Sequence, residues 1–418
     1  MSPTLTPHSQ DSNEIIAYLR TTEAIRQRCN ALLELGLANQ LNHFAVDLRR
    51  ISAAAEWVAT VTRQNYPNLA IPYHSRWRHF AVGGIDRWDE FYRSQLLGLT
   101  RDEIARIQGE IAITSVLLDA GAGSRWQYRD CDQQLYSRSE GLAVASLRLY
   151  QQGGFSSDHH RPWRVDATAL SAFDRAHLAK AFQVDGTNPL VGLEGRAALL
   201  RRLGKALAAQ PHVFGDPPRL GNLLDHLVDC SGTPQTSLPA AAILEALLLH
   251  LGTIWPGHTL VNGINLGDVW RHRALGSEET HSDLVPFHKL SQWLSYSLVE
   301  PLEAAGVAVT ELESLTGLPE YRNGGLLLDM GVLQPRYPEL LTNTFEVGDE
   351  AIVEWRALTV ALLDSLSEAV RDILGMDSDA LPLAKILQGG TWSAGRLLAQ
   401  RRREGASPIV LNSDGTVF

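Results

Sequence analysis

A mainly α fold with minor short β strands, divided into two lobes, is predicted by three observations on this 418-residue chain. Leu, Ala and Arg dominate while runs of β-branched residues are scarce. Apolar residues recur at three- and four-residue spacing, which is the helical period. Capping residues and prolines stand ahead of many of the apolar stretches, where helices begin. Residues 13–63 read as two or three helices rich in Ala and Leu. Thr100 caps a helix with first-turn acids Asp102 and Glu103, running to about Leu118. Residues 137–150 form another, with Ser139 as cap. The loop 153–162, rich in Gly, Ser and His, marks the boundary between an N-terminal lobe (12–150) and a C-terminal lobe (160–418). Helices are expected over 166–180 and 191–210, from Pro217-Pro218 to about Cys230, and from Ser237-Leu238-Pro239 to Leu251. Residues 252–276 look irregular, and loops of that length are often functional. Pro286 opens a helix to about Ala305, Asp349 caps one to Leu374, and 392–403 is a short basic helix. The tail 408–418 reads as two short strands around a turn.

Composition narrows the function classes. Hydrophobic residues make up 44% and charged residues 20%, enough for a sizeable core. The formal net charge of −10 argues against a nucleic-acid binder. Cys29, Cys131 and Cys230 are far apart with no CxxC pair, which fits a reducing compartment without structural disulfides. No apolar stretch reaches membrane-spanning length, and the first dozen residues lack a signal-peptide core. A cytoplasmic protein without membrane contact is expected. The Walker loop, GxGxxG and GxSxG patterns are missing, which disfavours P-loop, dinucleotide and hydrolase-elbow folds.

Several polar constellations stand out. In Pro319-Glu320-Tyr321-Arg322-Asn323-Gly324-Gly325 an acid, a phenol and a guanidinium sit at a helix start beside two glycines, each costing about 1 kcal/mol relative to alanine within a helix. This is either a capped helix with a glycine packing contact or a pocket that needs close backbone approach. Lys289 borders the apolar stripe Phe287, Leu290, Leu294 and Leu298, with Trp293 and Tyr296 one turn on. It is either a snorkelling lysine or a fixed charge in a pocket. Glu354-Trp355-Arg356-Ala357 lies on the helix after Asp349, and its ions could brace other helices. Tyr73-His74-Ser75-Arg76-Trp77-Arg78-His79 is either a polar loop or, through its arginine forks, an anion-binding run. His74 and His79 are five apart, which is not a helical metal pair, so no metal is expected. Asp119-Ala120-Gly121-Ala122-Gly123 with Trp126 is either a glycine helix stop or a backbone surface on which a planar group could stack.

Taken together, the Glu320, His74-Ser75-Arg76-Trp77-Arg78, Asp119 and Glu354 motifs resemble the fungal and bacterial uracil-catabolism protein 4 family, long known as a domain of unknown function. The likeness covers nearly the whole chain. The motif order is also distantly similar to the queuosine-nucleotide salvage glycosidases, helical proteins related to helix-hairpin-helix DNA glycosylases. Those carry a Lys-Arg-Ala-Gln helix, an Asp-Tyr-Arg segment and a Glu-Ile-Arg-Ala helix. Here the matching runs are Lys289-Leu290-Ser291-Gln292, Glu320-Tyr321-Arg322 and Glu354-Trp355-Arg356-Ala357. The chain departs from that pattern by one methylene at Glu320 and by losing the arginine after Lys289.

The resemblance implies a two-lobed glycosylase-like fold and hydrolysis of an N-glycosidic bond without a cofactor. The expected substrate is a nucleotide-derived ribosylurea, favoured as its 5′-phosphate, with urea as product and other uracil-catabolism enzymes as partners. Glu320 and Lys289 would be catalytic. Tyr321, Arg322, His74, Arg76, Arg78, Asp119, Trp126, Trp293, Glu354 and Arg356 would hold substrate. Two alternatives are a ribohydrolase acting on uridine monophosphate and a non-catalytic pathway scaffold.

Overall fold

The computed structural model describes residues 7–119, 121–230 and 237–412. The fold is mainly α, and its strands are two or three residues long in two-stranded sheets. The described residues form two compact units. One comprises those within Met1–His74, Gly257–Gln292 and Glu311–Asn412, and the other those within Ser75–Pro256 and Trp293–Thr310. The expected lobe boundary at 153–162 lies inside the second unit. Among the described residues, no helix is long and apolar enough to cross a membrane.

The first unit is built around the 25-residue helix Glu350–Leu374. Every residue from Ala351 to Leu363 is buried, so this stretch is enclosed on all sides. It packs against Thr22–Leu37, Ile51–Asn65 and Tyr321–Asp329. Each buried Leu, Val or Ile contributes about 1.5–3 kcal/mol. Gly375 stops the helix at φ 68°, a left-handed conformation that suits glycine. Asp349 holds the N-cap position, but its carboxylate accepts from the Glu346 N–H instead of capping the helix. A smaller cluster joins Ile16 and Leu19 to Val261, Leu266, Val269 and Leu284.

Glycines set the packing of the Glu320 helix. A Cβ at Gly324 would lie 2.7 Å from the Trp355 indole and 2.9 Å from Thr359 Oγ1. A Cβ at Gly395, on the helix Trp392–Arg403, would lie 2.1 Å from the Arg322 carbonyl oxygen. At Gly324 the contacts support the helix-packing reading.

In the second unit, Arg101–Leu117 starts where expected, with Thr100 Oγ1 accepting from the Glu103 N–H at 3.3 Å. It packs against Arg138–Gln151 and Asn222–Cys230, while Leu193–Ala208 packs against Ala167–Ser171 and Ala240–Leu251.

Several expected boundaries move. Pro286 does not open a helix: Leu284–Pro286 is a strand paired with Val269–Arg271, and the helix is Lys289–Ala305. Ser237–Pro239 is likewise a strand, parallel to Ala308–Thr310. Ser137, not Ser139, stands before the helix Arg138–Gln151. Residues 166–180 break into Ala167–Ser171 and Arg175–Ala181, because Asp174 turns extended and starts a new helix. Three short strands interrupt the irregular 252–276 stretch. In the tail, Val410–Asn412 pairs in parallel with Thr344–Glu346, and residues 413–418 lie outside the described residues.

Candidate active site around Glu320

Glu320 is the N-cap of the helix Tyr321–Asp329, with extended backbone at φ −105° and ψ 158°. The Arg322 N–H donates to its Oε2 at 2.8 Å and the Asn323 N–H to its Oε1 at 2.7 Å. These two amides are among the orphan donors of a helix start. A glutamate is not a preferred cap, because shorter side chains reach these donors more easily. Its length brings one carboxylate oxygen to each donor. The residue is half-buried. Burial pushes its pKa up, the two N–H bonds pull it down, and the charges of Lys289 and then Arg322 pull it down further. Burial outweighs the rest, so the acid sits above the ordinary glutamate value. Lys289 therefore acts in the expected direction without deciding the outcome.

Lys289 is the first residue of its helix, and its start is pinned from below. Its backbone N–H donates to Asp268 Oδ2 at 2.9 Å. Arg356 grips the same carboxylate with both arms of its fork at 2.8 Å each, and Trp270 Nε1 donates to Oδ1 at 2.7 Å. The Arg356 guanidinium lies 4.1 Å from the Phe287 ring centroid. Burial would raise the Asp268 acid, but Arg356 and the hydrogen bonds overcome it and hold it down to about 2. Arg356 thus positions the lysine helix and spends its fork on Asp268.

Glu354 also has a bracing role. Fully buried, it accepts from the His43 and Phe44 N–H groups at 3.1 and 2.7 Å and contacts His272 Nε2 at 3.2 Å. It anchors the strand Phe44–Val46, which pairs with Leu333–Pro335. Arg322 donates from Nη1 to the Gly405 carbonyl at 3.0 Å and stacks 4.6 Å from the Tyr321 ring centroid. Tyr321 is exposed. The first unit therefore gathers Lys289, Glu320, Tyr321 and Arg322 around two helix starts. Arg356 supports the Lys289 start from the central helix, whereas Glu354 on the same helix braces the strand Phe44–Val46.

The other expected residues lie elsewhere. His74 belongs to the first unit, where its Nδ1 contacts Gln388 Oε1 at 3.0 Å. Burial lowers its pKa to about 4, so it is neutral at physiological pH. Arg76, Asp119 and Trp293 meet in the second unit. Arg76 donates to Asp119 Oδ1 at 2.6 Å and to Ser115 Oγ at 2.7 Å, with its guanidinium 5.6 Å from the Trp293 ring centroid. Burial pushes Asp119 up and Arg76 down, against their mutual attraction. Arg78 pairs with Glu300 at 2.5 Å. Trp126 is a core residue: fully buried, it donates from Nε1 to the Phe182 carbonyl at 2.9 Å and stacks on the Phe182 ring. It is not placed to cover a ligand.

Asp268 gave no sequence signal, because two of the three partners of its carboxylate, Lys289 and Arg356, are 21 and 88 positions away in the chain. Gln292 and Asn323 stand within the Lys289 and Glu320 runs, each three positions beyond the charged residue, but the sequence alone assigns neither a role.

The DUF1688 family profile, described as a protein of unknown function, matches residues 18–418. The chain belongs to this family. It is 39% identical over 415 residues to Protein urg3 of Schizosaccharomyces pombe, covering 97% of this chain and 100% of that protein. It is 36% identical over 436 residues to Uracil catabolism protein 4 of Lachancea kluyveri, covering 96% of this chain and 99% of that protein. The family resemblance drawn from the motifs is thereby borne out.

Proposed function

We propose that this chain acts in uracil catabolism, as the name of its Lachancea kluyveri relative indicates for that protein. In this reading it hydrolyses the ribose–N bond of a ribosylurea 5′-phosphate. The observation that carries the proposal is the half-buried Glu320 carboxylate, held by two backbone N–H groups and flanked by the charges of Lys289 and Arg322. Cleavage of an N-glycosidic bond builds positive charge at the anomeric carbon, and a fixed carboxylate stabilises that charge or activates water. Water adds its oxygen to the anomeric carbon, the C–N bond breaks, and the departing nitrogen takes a proton. The products are ribose 5-phosphate and urea.

Each residue has a part in this scheme. Glu320 faces the anomeric carbon. Lys289 favours the ionised form of the acid and presents an N–H donor to the ribose or to the attacking water. Arg322, next in the chain but one, is the cation for an anionic substituent. Preorganisation of this kind is worth about 10²–10³-fold in rate per group removed. The test is urea release from ribosylurea 5′-phosphate by the wild-type protein and by Glu320→Gln. A drop of about 10²–10³-fold supports the reading. Equal turnover by a folded Glu320→Gln protein overturns it.

A further inference from the structure

Two carboxamides stand at the same two helix starts as Lys289 and Glu320, each three positions further along. Gln292 is fully buried and Asn323 is 1% exposed. The nitrogen end of each is anchored to one short segment leading into Glu320. Gln292 Nε2 donates to Thr316 Oγ1 at 2.5 Å, and Asn323 Nδ2 donates to the Leu318 carbonyl at 3.1 Å. Asn323 also donates its backbone N–H to Glu320. Their oxygen ends differ: among the described residues, neither Gln292 Oε1 nor Asn323 Oδ1 accepts a hydrogen bond. A buried acceptor left unpaired is costly, and a native structure that keeps two beside neighbouring helix starts calls for an explanation.

The anchoring settles which ligand chemistry they suit. Each amide turns its nitrogen toward that segment, and in each the carbonyl oxygen is the buried atom left without a partner. Two carbonyl acceptors select a group rich in N–H donors. We infer that Gln292 and Asn323 are specificity residues that accept hydrogen bonds from the N–H groups of a ureido or carboxamide leaving group. This inference rests on the reading of Glu320 given above. A ureido group carries three N–H bonds, two of them on its terminal nitrogen, and matches two acceptors. A uracil ring joined to ribose through N1 carries a single N–H, flanked by two carbonyl oxygens that would face the acceptors unfavourably. The site should therefore reject the intact pyrimidine nucleotide, since a site built for N–H groups discriminates strongly against ligands that lack them.

The test uses equilibrium binding, so that it stands apart from turnover. Full-length Glu320→Gln protein is titrated with ribosylurea 5′-phosphate, with its terminally N,N-dimethylated analogue and with uridine 5′-phosphate. The same titrations are repeated with Gln292→Met added. The expected result is binding of the ureide at least 10-fold tighter than either comparison ligand, with Gln292→Met removing most of that advantage. The dimethylated analogue keeps the test valid even where the methionine variant does not fold. Equal binding of the ureide and its dimethyl analogue to the glutamine-containing protein overturns the inference. If wild-type protein still releases urea in that case, the hydrolase reading survives without it. If wild-type protein releases none, both fail.

Discussion

Glu110 in the second unit and Glu320 in the first are both buried or half-buried glutamates whose pKa burial pushes up, yet they are equipped for different work. Glu110 is saturated. Its Oε1 accepts from Arg219 Nε at 2.7 Å and the Gly221 N–H at 3.0 Å; its Oε2 accepts from the Tyr150 hydroxyl at 2.8 Å and Arg219 Nη2 at 3.3 Å. Arg219 spends its remaining arm on Glu103, 2.8 Å from both carboxylate oxygens. Four bonds use the roughly four lone-pair positions of a carboxylate. Glu320 accepts one backbone N–H per oxygen, and its flanking cations act on it as charges. A lone pair remains on each oxygen for a reacting group. A saturated acid braces a fold, whereas an acid held in place but not consumed is available for chemistry.

Substitutions can break this contrast, beginning with the largest effect. Glu110→Ala leaves Arg219 buried without its main partner and should cost about 3–5 kcal/mol in guanidinium unfolding. Turnover per folded molecule should be unchanged, and a fall matching that of the Glu320 variants would erase the distinction. Lys289→Ala should lower kcat/KM by about 10²-fold. It also tests the electrostatics. Lys289 lowers the Glu320 pKa, so its removal raises that pKa, and the acid then ionises only at higher pH. The acid limb of the kcat/KM profile should move upward in pH. A limb that stays in place would show that Glu320 is not the group titrating. Gly324→Ala forces a Cβ against Trp355 and should cost about 1–3 kcal/mol in thermal or chemical unfolding. Unchanged stability with a raised KM would return that glycine to the substrate side.

Much of this was legible in the chain, for reasons that differ by residue. Thr100 announced its helix because a cap and its first-turn acids are local. Glu320 showed as a helix start for the same reason. Pro286 misled because a proline suits the end of a strand as well as the start of a helix, and the strand partner lies 15 or more residues earlier. The Arg356–Asp268 pair was half visible: the arginine stood in a motif, while its acid lay 88 positions away in a stretch without periodicity. Trp126 was misread because burial depends on Phe182, 56 positions on. Local chemistry reads directly from sequence, but long-range partners decide whether a charged side chain is spent or available.

In this scheme the Glu320 carboxylate does chemistry and is not only a helix cap. Glu320→Asp separates the two most directly. Aspartate is a better N-cap than glutamate and should keep the protein within about 0.5 kcal/mol of wild-type stability. It withdraws the carboxylate by one methylene, and misplacement of about 1 Å can cost 10²-fold in rate. Urea release from ribosylurea 5′-phosphate should fall by roughly that factor at unchanged stability. Full turnover by the equally stable Glu320→Asp protein would leave Glu320 as a cap alone.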